Sequence, residues 1–155
     1  MAQDNPFQQS RESSAEAVRM AGVDGVGISP AVFDDRSAFV KASRRGLPGA
    51  VVKQAVNALG HRELIVRLLG TTAGNLSRFY RRRALAPMQS EALLDLLRVF
   101  VLAAAAFGSR EKGDQWLVTQ VPAMGGERPV DLCDTFEGRA LVREALHKIE
   151  YGEFP

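Results

Sequence analysis

The sequence has few of the residues that form disulfides or bind metal ions in small proteins. It contains one cysteine, Cys133, and two histidines in 155 residues. A single thiol forms no internal disulfide and cannot supply a multi-thiolate zinc site. The longest uninterrupted apolar run, Val99 to Phe107, has nine residues, whereas a membrane helix needs about 20. The first 20 residues lack the apolar segment of a secretory signal. We therefore expect a cytoplasmic protein without a membrane contact, a metal or a cofactor.

Alternating runs of β-branched residues, which indicate strands, are also missing. Apolar residues instead recur at helical spacing, with glycine and proline between the groups. The sequence therefore predicts an all-α fold. The expected helices run from Asp34 or Asp35 to Gly46, from Pro48 to Gly60, over Leu64–Leu69, from Thr71 or Thr72 to Tyr80, from Pro87 to about Phe107, over Gln115–Thr119, and from Asp134 or Thr135 to Gly152.

The helix after Pro87 is apolar on nearly every face. Such a helix must be covered on all sides, and a chain of this size offers little cover apart from a second copy. We therefore expect a homodimer. The alternative is a monomeric core in which the C-terminal segment wraps around this helix.

Charge is distributed unevenly, although the net charge is only +2. Residues 1–40 carry a net charge of −3, residues 41–83 carry ten basic residues and one acid, and residues 84–155 carry a net charge of −4. We expect residues 1–40 to form a flexible or partly ordered arm, with a short helix around Ser14–Met20 and a linker at Gly22–Gly27. The basic region favours polyanions, with nucleic acid as the leading candidate. A solvated basic face without a ligand is the alternative.

Within the basic region, the spacing of apolar residues matches a helix-turn-helix. Ile65 and Leu69 precede Gly70, and Leu76 and Phe79 follow it by six and nine residues. Glycine permits a positive φ at the turn, and the apolar residues lock the two helices together. In this register the second helix presents its polar side chains to the major groove. The predicted DNA-binding residues are Thr72, Ala73, Asn75, Ser77, Arg78, Arg81, Arg82 and Arg83.

Position in the second helix assigns roles to some of these residues. Asn75 is a candidate for pairing with adenine and Arg78 for pairing with guanine. Arg81–Arg83, together with Lys53 and Arg62, are better placed for phosphates. The alternative is that the arginine run is a solvated helix end that favours the C-terminal dipole.

Several short motifs follow one another in an order that resembles the Xre/MbcA/ParS antitoxins of bacterial type II toxin–antitoxin modules. The resemblance extends from about residue 45 to the end of the chain, and the arm before about residue 40 lies outside it. The motifs are GLPGAVV at residues 46–52, RLLGTTAGNLSRFYRRR at 67–83, WL at 116–117, GGERPVDL at 125–132, DTFEGRALV at 134–142 and IEYGEFP at 149–155.

This resemblance implies an Xre-like helix-turn-helix region, placed at residues 41–86, that binds the promoter of its own operon. It also implies a small helical C-terminal region that binds and neutralises a toxin, which together with the long dimerisation helix occupies residues 87–155. The usual toxin in this family has a RES domain and degrades NAD⁺, and some relatives partner with ADP-ribosylating toxins. A higher-order hetero-oligomer of antitoxin and toxin is expected.

The end of the chain combines aromatic side chains with carboxylates, which suits a plug in a basic nucleotide pocket. The predicted toxin-binding residues are Glu150, Tyr151, Gly152, Glu153, Phe154 and Pro155. A tail that makes no contact is the alternative.

No side chains have the arrangement of a catalytic acid, base or nucleophile, so we do not expect an enzyme. Cys133 lies close in sequence to Asp131 and Asp134, whose charges would raise rather than lower its pKa. Two other classes remain open. One is a stand-alone phage-type (Xre/Cro-like) repressor without a toxin partner, and the other is an interaction module that has lost DNA binding.

Overall fold

The structure, a computed structural model, describes residues 6–152, and over that range it contains helices and no strand. The fold is therefore all-α, as predicted. Two short 3₁₀ helices, Pro30–Phe33 and Pro122–Met124, lie between the longer elements. The α-helices are α1 (Pro6–Met20), α2 (Arg36–Arg45), α3 (Ala50–Leu59), α4 (Arg62–Leu68), α5 (Leu76–Tyr80), α6 (Pro87–Phe107), α7 (Arg110–Leu117), α8 (Pro129–Leu132) and α9 (Phe136–Glu150).

Side-chain caps begin two helices where the sequence predicted them. The Asp35 carboxylate accepts hydrogen bonds from the backbone N–H groups of Ser37 and Ala38 at the start of α2, at 2.9 and 3.2 Å. The Thr135 hydroxyl accepts one from the N–H of Gly138 at the start of α9, at 3.0 Å. Each bond satisfies an N–H group that has no partner within its helix. These caps confirm the predicted starts of α2 and α9.

The helix that carries the tryptophan begins earlier than predicted. The sequence placed it over Gln115–Thr119, but α7 already begins at Arg110. Ser109 caps it, because the Ser109 hydroxyl accepts a hydrogen bond from the N–H of Lys112 at 3.2 Å. The predicted helices left residues 108–114 outside any helix because the serine cap was overlooked.

The N-terminal segment is more ordered than an arm with one short helix. The helix predicted around Ser14–Met20 begins at Pro6, and the chain then turns at Gly22, which has a φ of +72°. Val23 and Val26, from the segment expected to be a linker, are buried in the core. The Val23 N–H donates to the carbonyl of Val18 at 3.1 Å and closes the turn. The linker interpretation is corrected accordingly.

The long helix α6 lies at the centre of the molecule. Helices α1, α2, α7 and α9 all pack against it within one chain, and side chains such as Leu94 and Leu97 are fully buried there. The premise of the dimer prediction, that one chain cannot cover this helix, is therefore wrong. The C-terminal helices α7 and α9 cover part of α6, as the alternative expected, and α1 and α2 pack on it as well. The homodimer itself remains a prediction, and it would need another surface.

Among residues 6–152, no single helix is long and apolar enough to cross a membrane. Helices α6 and α7 pass that test only when taken together, as a pair bent by 116°.

Candidate functional site

Helices α4 and α5 and the turn between them bring the predicted helix-turn-helix residues together. Gly70 has a φ of +67°, the left-handed conformation expected at the turn. Ile65, Leu69, Leu76 and Phe79 are all buried, as their spacing predicted. The packing of this segment therefore follows the pattern read from the sequence.

The second helix begins later than predicted. Neither Thr71 nor Thr72 caps it, because α5 begins at Leu76 and its N-cap residue, Asn75, makes no side-chain capping bond. The preceding residues form a turn in which the N–H of Asn75 donates to the carbonyl of Thr72 at 3.1 Å. Gly74 lies within this turn, and glycine disfavours a helix interior. Thr72 and Ala73 therefore lie in the turn rather than in the helix.

The eight predicted DNA-binding residues are exposed on one continuous stretch of turn, α5 and the segment after it. They are Thr72, Ala73, Asn75, Ser77, Arg78, Arg81, Arg82 and Arg83. The Arg82 guanidinium lies 3.9 Å from the centroid of the buried Phe79 ring, a cation–π contact that restricts its motion. The arrangement presents amide, hydroxyl and guanidinium donors to solvent, which are the groups that contact bases and phosphates.

Arg62 supports this surface from α4. One guanidinium nitrogen donates to the carbonyl of Ala73 at 3.1 Å, and another donates to the hydroxyl of Tyr80 at 3.2 Å. The sequence suggested a phosphate contact for this residue. In the structure its side chain ties α4 to both the turn and the end of α5, so it acts as a positioning residue.

Gly49 brings the start of α3 into direct contact with the end of α5. A Cβ atom at this position would overlap the carbonyl oxygen of Phe79 and lie 2.7 Å from that of Arg82. The Gly49 N–H donates to the Arg82 carbonyl at 2.9 Å, and the Leu85 N–H donates to the Leu47 carbonyl at 2.8 Å. Only glycine allows this approach, which explains why the GLPG sequence fixes the position of the exposed arginines.

A polar groove of about 600 Å³ runs between α3 and α5. Lys53 and Arg81 line it from opposite sides, and Gln54, Asn57 and Ser77 complete its polar lining. Sequence analysis identified Lys53, Ser77 and Arg81 but not the two amides of α3. Their signal was the i, i+3 spacing from Gln54 to Asn57, which places both on one face of a helix.

The predicted toxin-binding residues lie where the last helix ends. Glu150 is the last residue of α9, Tyr151 is its C-cap residue, and Gly152 follows with a φ of +69°. Tyr151 has 70% of its surface exposed and stacks on His147 with the ring centroids 6.5 Å apart. The remaining residues of this prediction, Glu153, Phe154 and Pro155, lie outside the described residues.

Sequence analysis missed a buried ionic cluster between α6 and α9. The Asp95 carboxylate, with only 3% of the residue exposed, lies 2.9 Å from Nε of Arg139 and 2.6 Å from a guanidinium nitrogen of both Arg98 and Arg143. Arg139 also donates to the carbonyl of Cys133 at 3.1 Å. The signal was a single acid within the apolar stretch of α6, which must find cationic partners when it is buried.

The arginines determine the ionisation of this carboxylate. Burial opposes its charge, but hydrogen bonds from Arg98 and Arg139 and the charge of Arg143 outweigh burial and lower the pKa of Asp95 below its ordinary value. One carboxylate thus holds three arginines from two helices. The cluster fixes α9 against α6.

A second groove, of about 370 Å³, lies between α7, the 3₁₀ helix Pro122–Met124 and α9. Its lining is mainly apolar and includes Trp116, Leu141 and Ile149. The Trp116 ring also packs against Phe107, with the centroids 5.8 Å apart. The sequence did not single this groove out.

Cys133 is buried, and His61 is half-buried at the start of α4. Burial, more than the neighbouring acids, raises the pKa of the Cys133 thiol to about 12, so the reactive thiolate is disfavoured. His61 is the N-cap residue of α4 and lies against Phe100. In the part of the chain that the structure describes, no group of three or more His, Cys, Asp or Glu side chains is placed to hold a metal ion.

Comparison with known proteins identifies the C-terminal third. Residues 102–152 match the family described as the antitoxin Xre/MbcA/ParS C-terminal toxin-binding domain. A curated relative, the Prs ADP-ribosylating antitoxin of Sphingobium sp. (strain YBL2), is 46% identical over 48 residues. That match covers 31% of this chain and 30% of the relative, so the two are alike over about a third of their lengths. The resemblance inferred from the sequence motifs is thereby confirmed for this region.

Proposed function

We propose that the protein is the antitoxin of a toxin–antitoxin pair, because its C-terminal third is similar to the Xre/MbcA/ParS C-terminal toxin-binding domain. The observation that carries the proposal is the match of residues 102–152 to a domain family described as toxin-binding. The name of the Sphingobium relative, an antitoxin, supports the same function. In this proposal the chain acts by binding, without catalysis of its own.

The toxin is proposed to consume NAD⁺. A RES-domain toxin, which degrades NAD⁺, is the partner implied by the motifs of the sequence. An ADP-ribosylating toxin is the second candidate, which the name of the Sphingobium relative supports. Incubating the purified toxin with NAD⁺ separates the two, because a RES enzyme releases free products and an ADP-ribosylating enzyme transfers the ADP-ribose to a macromolecule.

The tail is proposed to occlude the active site of the toxin. Glu150 and Tyr151 are exposed at the end of α9, so a carboxylate and an aromatic ring are available where the helix stops. A carboxylate would pair with the basic groups that hold the phosphates of the nucleotide. Truncation after Ile149 removes all six predicted toxin-binding residues. We expect the truncated protein to lose neutralisation, and full protection would contradict the plug.

Residues 41–86 are proposed to bind the operon's own promoter through α4, the turn and α5, and so to repress transcription. The exposure of all eight predicted contact residues and the excess of basic residues over positions 41–83 support this. A homodimer would bind two half-sites about one helical turn apart, or a multiple of it. Binding to a promoter duplex should weaken with salt, with a log–log slope of about −0.9 per neutralised phosphate.

The experiment that tests the antitoxin function is co-expression with the product of the adjacent gene. Cells that express this product alone should stop growing, and cells that also express the present chain should grow. A stable complex should copurify, as a hetero-oligomer that contains both proteins. If the neighbouring product is harmless and does not copurify while promoter binding persists, the stand-alone repressor is the correct function.

A further inference from the structure

We propose that the apolar groove between α7 and α9 is a docking site for an apolar side-chain ridge of the toxin, separate from the tail. This inference rests on the proposed antitoxin function and adds a second contact to it. The tail would occlude the active site, and the groove would hold the body of the toxin.

The groove has the size and the lining of a binding site. Its volume of about 370 Å³ lies within the range of pockets that receive ligands or anchoring side chains. It also lies wholly inside residues 102–152, the range that matches the toxin-binding family. The apolar lining includes Trp116, Val121, Met124, Leu141, Ala145 and Ile149.

Helix α9 carries two apolar faces, one that is buried in the core and one that the chain covers only in part. Val142 and Leu146 are buried in the core. Leu141, Ala145 and Ile149 follow one another at four-residue spacing on a neighbouring face, along the groove. Leu141 retains 43% of its surface exposed. A surface helix normally places polar residues at such positions. We therefore infer that a partner covers the second apolar face.

The charges around the groove favour a protein over a nucleic acid. The rim residues Glu144 and Lys148 pair with each other at 3.3 Å, so the rim offers one charge of each sign. The basic residues concentrate instead over positions 41–83. An apolar floor with a balanced rim matches the centre and the edge of a protein–protein interface.

The shape of the groove disfavours a second copy of this chain as the occupant. A twofold dimer brings the same surface of both copies together, and two concave surfaces do not fill each other. The exposed apolar residues Met88 and Phe136 line a different groove, beside α4 and the starts of α6 and α9. Inserting either into the present groove would give a head-to-tail contact that need not close into a dimer.

The test measures the affinity of the full chain for the product of the adjacent gene. Leu141→Asp places a charge on the groove floor at an exposed position, and we expect it to weaken binding by at least about 30-fold. Leu141→Met retains an apolar side chain and should stay within about threefold of the wild type. Val40→Asp is the matched control, because Val40 is also 43% exposed on a helix but does not line this groove.

Each outcome separates the groove from its alternatives. Equal binding by Leu141→Asp and the wild type would overturn the docking site while leaving the antitoxin function intact. Equal losses in Leu141→Asp and Val40→Asp would overturn it as well, because the effect would not belong to the groove. If light scattering shows that Leu141→Asp converts a dimer of the free chain into a monomer, the occupant is a second copy and the proposal is wrong. If the wild type itself neither binds nor neutralises the product, the antitoxin function fails together with the groove.

Discussion

Residues 46–85 and residues 87–152 share one apolar core, but they use their arginines differently. In the first region, close backbone approaches such as that of Gly49 to Phe79 position three short helices. In the second, an apolar core surrounds α6, and the buried carboxylate of Asp95 ties α9 to it. The arginines of the first region are all exposed on the surface. The second region uses three of its arginines in a buried ionic cluster, and a mainly apolar groove remains open on α9.

This difference separates the two proposed binding surfaces by chemistry. Exposed guanidinium groups on short, fixed helices suit a polyanion, and the binding of a polyanion weakens as the salt concentration rises. An apolar groove on a firmly anchored helix suits a protein partner, whose binding depends on a few buried anchors. Changes in one region should therefore alter one binding activity and leave the other in place.

The largest effect is expected from the buried carboxylate of the second region. Asp95→Ala leaves Arg139 buried without its partner, and we expect a loss of about 3–5 kcal/mol in the free energy of unfolding. Urea denaturation of the variant measures it. The control is Asp114→Asn, which removes the exposed ion pair with Arg110 at 3.3 Å and should cost about 1 kcal/mol or less. Similar losses in both variants would show that the buried cluster does not anchor α9.

The stability of the first region should depend on the close backbone contact at Gly49, which a single added methyl group would disturb. Gly49→Ala forces a Cβ atom into the Phe79 carbonyl, and we expect about 1–3 kcal/mol of destabilisation together with weaker promoter binding. Gly25→Ala is the control, because a Cβ atom there meets nothing within 4 Å and the residue lies outside the proposed DNA-binding surface. Thermal unfolding and promoter binding measure both variants. Full promoter affinity in Gly49→Ala would contradict the role given to this backbone contact.

The two proposed surfaces should separate when an exposed arginine of α5 is removed. We expect Arg78→Ala to lower promoter affinity by about 1–3 kcal/mol and to relax specificity at one base pair, without changing toxin binding. Fluorescence anisotropy on promoter duplexes with single base changes measures this. Lys112→Ala, at an exposed basic position of α7, should leave promoter affinity unchanged. If both variants lose affinity equally, the arginines act only through total charge.

The sequence predicted the all-α fold and most helices because caps and glycines act locally. Asp35, Thr135, Gly46 and Gly70 each determine a boundary through their own backbone or side chain. The helical spacing of the apolar residues also predicted which side chains of α5 are exposed. What the sequence did not show depends on contacts between distant segments. The pairing of Asp95 with Arg139, 44 positions away, and the covering of α6 by its own chain arise only after the helices pack.

The smallest expected effect is the acid response of the buried cluster. The pKa of Asp95 is lowered from 3.8, so its ionised form stabilises the fold fully above that pH, and this stabilisation is lost as the pH falls through the lower folded value. We expect this group to contribute a slope of at most about 1.4 kcal/mol per pH unit in that window. Asp95→Asn should lack this slope. If the free energy of unfolding depended on pH in the same way for the variant and the wild type, Asp95 would not be ionised in the folded protein.

Growth rescue tests the central claim, that one chain carries a toxin-neutralising surface apart from its DNA-binding one. The product of the adjacent gene is expressed together with the wild type, Arg78→Ala or Leu141→Asp, each from an unrelated promoter. The account predicts growth with the wild type and with Arg78→Ala, and loss of growth with Leu141→Asp. Arrest of cells that express the wild type, or equal arrest with Arg78→Ala and Leu141→Asp, would contradict it.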